Sequence, residues 1–169
     1  MLTEFETVKT KLLNNLFRLV MLSVISVNSS FAFDIAGFEI GDSSKSFQNF
    51  EGPAKQFMTI TIDKKDTVVR ILYIQKNIIN NKENQSYLIN KICNKYGLVV
   101  TCQEALSSIE GKNNTKFTGF SFVYWNKDKT LRLSTKLKRS SIFSLVPELT
   151  IELDLMNEKF YRLIQKKEN

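Results

Sequence analysis

Residues 130–156 read TLRLSTKLKRSSIFSLVPELTIELDLM, and two runs within this stretch alternate with period two. In TLRLSTKLK, Leu131, Leu133 and Leu137 fall on one side. In ELTIELDLM, which follows Pro147, Leu149, Ile151, Leu153 and Leu155 do the same. Successive side chains of an extended chain point to opposite faces, so each run covers a core with one face and meets water with the other. Half-buried strands of this kind belong to an antiparallel sheet.

Working outward, GFSFVYW (119–125) is a third strand, joined to the first run by the turn NKDK (126–129). Further upstream, QFMTITID (56–63) places Met58, Ile60 and Ile62 on one side and Thr59 and Thr61 on the other. After the turn KKD, TVVRILYIQ (67–75) is apolar on both faces, as expected of an interior strand paired on both edges. These two form a hairpin. From Asn80 the period changes: Asn80 and Glu83 resemble a capping box, Leu88, Ile92 and Tyr96 recur at four-residue spacing beside Ile89 and Cys93, and Gly97 ends the helix. LVVTC follows as a short extended run, and QEALSSIEG is either a short helix or a loop.

At the chain's end, NEKFYRLIQKK reads as a helix capped by Asn157, with Phe160, Leu163 and Ile164 at helical spacing. FDIAGFEIGDSSKSFQNFEGP (33–53) reads as a strand ending at Gly41, then a brief helix capped by Asp42 or Ser43 with Phe47 and Phe50 on one face, stopped by Gly52 and Pro53. The sum is an α+β fold, an antiparallel sheet of about five strands in hairpins packed with two to four short helices.

Residues 1–32 have the layout of a cleavable secretory signal. Lys9, Lys11 and Arg18 outweigh Glu4 and Glu6, LVMLSVISV (19–27) is uncharged, and Ser30 and Ala32 occupy the small-residue positions before a cut between Ala32 and Phe33. The apolar run falls short of the ~20 residues that cross a bilayer. The competing reading is an amphipathic first helix. With the signal removed, residues 33–169 form a single domain, 21 basic against 15 acidic residues, net charge near +6. Export places the chain in the periplasm or beyond. There a basic protein meets anionic envelope surfaces or an envelope protein, and nucleic acid is an unlikely partner. Cys93 and Cys102 can pair in an oxidising compartment, closing a short loop worth about 2.5–3 kcal/mol. Their spacing is not that of a redox C-x-x-C.

The chain contains no histidine, which removes Ser-His-Asp and Cys-His nucleophile systems, histidine-ligated zinc and the commonest general base. No phosphate-cradling glycine loop, calcium loop or S-x-x-K is present, and no cofactor is expected. Glu148, Glu152 and Asp154 cluster, but the last two fall on the polar face of an alternating strand, where solvated charge is the ordinary outcome. The densest charged feature is Lys127, Lys129, Arg132, Lys136, Lys138 and Arg139, just after Tyr124 and Trp125. It is either a patch for an anionic polymer or membrane, or a sheet face neutralised by cross-strand pairs to Glu152 and Asp154. N-x-S/T sequons stand at Asn84 and Asn113.

Gly41, Ser43, Phe47, Gly52 and Pro53 together resemble the opening of the BamE/SmpA-like proteins, where a G-x-[ST] helix start is followed eleven residues later by a glycine near a proline. The KICNKYG helix end and the Trp125 strand also look like uncharacterised secreted bacterial proteins. The resemblance implies a small, non-enzymatic α+β envelope module with a scaffolding or binding role. Lipoprotein members carry a cysteine at the cleavage point; here the first cysteine is Cys93. The expectation is an exported, non-catalytic binding or scaffold protein; the alternative is a His-independent hydrolase of cell-wall or carbohydrate substrates.

Overall fold

A computed structural model describes residues 34–96, 119–139 and 148–168. The signal segment with its Ala32–Phe33 cut, Gly97, the run from LVVTC to Asn113, and Cys102 lie outside the described residues.

Five strands pair in the order β3-β4-β7-β6-β5, every neighbour antiparallel. They are β3 (Met58–Ile62), β4 (Val68–Ile79), β5 (Gly119–Trp125), β6 (Leu131–Arg139) and β7 (Glu148–Asn157). The hairpins β3–β4 and β5–β6 are local, as the turns KKD and NKDK imply, and β6 also pairs with its neighbour in sequence, β7. The non-local pairing of β7 with β4 closes the sheet and makes the last strand its centre. A two-residue hairpin, β1 (Asp34–Ile35) with β2 (Phe38–Glu39), stands apart from it. Among the described residues three α-helices accompany them: α1 (Ser44–Gln48), α2 (Lys82–Tyr96) and α3 (Glu158–Glu168).

One sheet face and α2 share a core. Ile71 and Tyr73 of β4, Leu133 and Leu137 of β6, and Leu149, Ile151, Leu153 and Leu155 of β7 are fully buried in one cluster with Leu88, Ile89, Ile92, Cys93 and Tyr96. The apolar rows read from the sequence are therefore the core rows. Thr135 also faces this core, and its buried hydroxyl has no hydrogen-bond partner among the described residues.

Ile62 keeps the face of Met58 and Ile60, opposite the buried Val68, but at the end of the edge strand it stays 46% exposed; Val69 is an extra residue on β4 between the pairs Thr61↔Arg70 and Ile62↔Val68, a bulge. Two expectations need correction. The predicted N-terminal strand is instead the β1–β2 hairpin, because Ala36 (φ 57°) and Gly37 (φ 84°) adopt the left-handed pair that tight hairpins need. The cap of α2 is Asn81, one residue later than predicted. Its Oδ1 accepts the Asn84 N–H at 2.7 Å, while Asn80 Oδ1 receives the Gln85 side chain. Asn84 is itself fully buried, its amide donating to the Ile79 carbonyl at 2.9 Å, so that sequon is closed in the folded protein.

Other local readings hold. Phe47 and Phe50 both pack edge-on against Phe38, although α1 ends at Gln48 and leaves Phe50 beyond it, and Asn157 Oδ1 caps α3 by accepting the Phe160 N–H at 2.8 Å. Ser43 stands at the N-cap of α1 without a side-chain bond; Asp42 turns its carboxylate to the Glu39 N–H instead.

Candidate functional site

The second face of the sheet is built from the polar members of the alternating strands, and it is not simply a solvated surface. Asp154 and Met156 of β7 are nearly as buried as the core residues, because β7 is flanked on both edges by long side chains. Arg70, on β4, forks onto Asp154 with Nε–Oδ1 at 2.8 Å and Nη2–Oδ2 at 2.9 Å. This two-bond geometry holds the guanidinium charged, above its already high ordinary range. One row along, Lys136 meets its cross-strand partner Glu152 at 3.2 Å, a half-buried pair still open enough to solvent to contribute little. The two carboxylates that head the hydrolase reading are thus each bound to a cation.

The predicted basic run does not form one patch. Lys127 and Lys129 lie in the β5–β6 turn. Arg132, Lys136 and Lys138 share the second face, and Arg139 falls on the opposite parity at the end of β6. The expected ion-pair ladder forms only at Lys136. Asp154 is taken by Arg70, and Arg132 stands opposite Met156, so Arg132 has no carboxylate partner among the described residues. Its guanidinium instead lies 4.5 Å from the centroid of the Tyr161 ring, a cation–π contact.

That contact marks a corner where three elements meet. Trp125 ends β5 directly across from Arg132, and Tyr161, in the first turn of α3, meets the indole edge to face with centroids 5.6 Å apart. Beside them opens a pocket of about 350 Å³ lined by Trp125, Lys129, Glu158, Tyr161 and Arg162. Glu158 and Arg162, four apart on α3, are bonded to each other. Lys129, Arg132 and Arg162 against Glu158 leave the corner net positive.

Its frame is tied from both sides. Asn126 Oδ1 accepts the Thr130 and Leu131 N–H groups at 2.8 and 3.0 Å, and its amide donates to Thr130 Oγ1 at 2.9 Å. The Thr130 carbonyl in turn accepts the Glu158 N–H at 2.8 Å, fastening the turn to the start of α3. Within that turn Lys129 takes the left-handed conformation (φ 55°) that glycine or asparagine would adopt more easily.

Sequence reasoning found Trp125, Lys129 and Arg132 but placed no function on α3, so Glu158, Tyr161 and Arg162 were missed. The apolar spacing of Phe160, Leu163 and Ile164 drew attention to packing. No residue of α3 is buried, and Leu163 is 58% exposed. The Glu158–Arg162 spacing was the available signal. A second cluster was also missed. Lys95 Nζ meets Asp34 Oδ1 at 2.7 Å with both side chains largely buried, and the Tyr96 hydroxyl donates to the Asp34 carbonyl at 2.9 Å.

Among the described residues no set of three or more acidic or cysteine side chains is placed to hold a metal ion, and no helix is long and apolar enough to cross a membrane. No family model matches the chain, and neither a curated protein nor a solved structure matches it.

Proposed function

We propose that this chain is an exported, non-catalytic binding protein that takes an anionic component of the cell envelope at the corner formed by Trp125, Tyr161 and the cations around them. The observation that carries this reading is Arg132, a half-buried guanidinium beside two aromatic rings, with no carboxylate of its own among the described residues. A cation in that setting is held by ring quadrupoles and keeps its hydrogen-bond donors for an incoming anion. The basic balance of residues 33–169, the signal-like N-terminus and the resemblance of residues 37–53 to BamE/SmpA-like envelope proteins point the same way.

The test is retention of the exported protein on an envelope fraction carrying both anionic lipid and acidic polysaccharide, at low and moderate salt. Replacing Lys129, Arg132 and Arg162 together with glutamine weakens retention roughly tenfold or more, whereas Lys138→Gln with Arg139→Gln, at the far end of β6, leaves it nearly unchanged. Equal loss in the two variants would mean that total charge, not this corner, governs binding.

A further inference from the structure

We infer that the Trp125–Tyr161 pocket is a subsite for a sugar ring bearing a carboxylate or phosphate, the unit of an acidic polysaccharide. This rests on the envelope-binding reading and names the ligand class of that site.

Four features of the corner converge on such a ligand. The two rings stand at 78° to each other, with Arg132 over the Tyr161 ring, so the pocket is walled by two aromatic side chains at nearly a right angle. A planar base stacks on one such wall and ignores the other, and an acyl chain needs a long apolar trough. A puckered sugar ring turns C–H groups toward negative ring faces while its hydroxyls point outward. The polar complement is present. The Trp125 indole N–H and the Tyr161 hydroxyl have no hydrogen-bond partner among the described residues, and the Glu158 carboxylate can accept from a sugar hydroxyl.

Charge selects the anionic member of the class, because Lys129 in the pocket wall and Arg132, outside the wall but against the Tyr161 ring, lack carboxylate partners among the described residues while Arg162 is held by Glu158. Size limits the occupant. About 350 Å³ is near the lower end of small-ligand pockets, room for one or two rings of a longer chain. The bonds through Asn126, Thr130 and Asn157 already order the frame, so little freedom remains to be lost on binding.

Trp125 is the single tryptophan of the chain, so its emission reports this pocket and nothing else. Oligogalacturonate, a neutral galactose oligomer of the same length and an oligothymidylate are titrated separately into the exported protein at moderate salt. The expected result is a saturable emission change with oligogalacturonate, at least roughly tenfold weaker affinity for the neutral oligomer, and a further loss of about tenfold in Tyr161→Ala or Arg132→Gln. Vesicles bearing a lipid-linked acidic saccharide, compared with the soluble oligomer, show which source binds more tightly. The wild-type titrations stand without any variant. Silence with the uronate, or an equal response to the neutral oligomer or the oligonucleotide, overturns the assignment. Retention on the envelope fraction with Trp125 silent overturns it while leaving the wider reading in place.

Discussion

Lys95→Met tests the buried ion pair that ties the start of the described chain to the end of α2. Lys95 and Asp34 are 61 residues apart, and their side chains keep only 4% and 12% of their exposure. Removing the ammonium leaves the Asp34 carboxylate with the Gly37 N–H, 2.8 Å from Oδ1, but without the cation beside it. Deleting one member of a buried pair costs about 3–5 kcal/mol, because the remaining charge stays desolvated. Asp34 keeps some contact with solvent, so the lower end applies, about 3 kcal/mol. In urea this moves the unfolding midpoint down by about 1–2 M for a domain of this size.

The double variant Asp34→Asn, Lys95→Met removes both charges and keeps the shapes. It should lie closer to wild type than Lys95→Met alone, since replacing a buried pair by neutral groups is often close to neutral. The assay is equilibrium urea unfolding of the wild type, both single variants and the double variant, read as a cycle. A loss below ~0.5 kcal/mol in Lys95→Met, or a double variant that loses the sum of the singles, would refute the claim that the pair acts as a unit.

Two further outcomes are expected. Burial pushes the Tyr96 hydroxyl well above its ordinary value near 10, with Asp34 adding to the shift, and burial alone raises Tyr73. In alkaline solution the unfolded chain therefore loses protons that the folded chain keeps. The stability from these groups is complete below about pH 10 and falls as pH rises toward their folded values. Ultraviolet titration should show Tyr73 and Tyr96 ionising only with unfolding, and ionisation of both before any loss of structure would contradict the burial. On the export reading proposed above, the intact mass of the protein recovered after export, measured without reductant, should match residues 33–169 less the two thiol hydrogens of Cys93 and Cys102. Cys93 is buried in the last turn of α2, and no cysteine among the described residues is free. An intact Met1 terminus would refute the signal, and two free thiols would refute the pairing.

Alternation, turn residues and caps are local properties, and they alone determined the α+β class, the five strands and the local hairpins. They also determined the core rows through Leu133 and Leu137 on β6 and through Ile151 and its neighbours on β7, since a side chain's face follows from its parity. Asn157 as a cap and the interior character of β4 were legible for the same reason. Bulges were not. An extra residue such as Val69 is defined only against the strand it pairs with, so it had no sequence signature. The charged face shows the division most clearly. Sequence adjacency suggested that β6 cations would meet β7 carboxylates, and Lys136 with Glu152 does so. The pairing of β7 with β4, strands separated by most of the fold, brought Arg70 to Asp154 and left Arg132 to the rings. Partner choice between distant strands depends on register and on which side chain reaches first, and only the tertiary structure decides either.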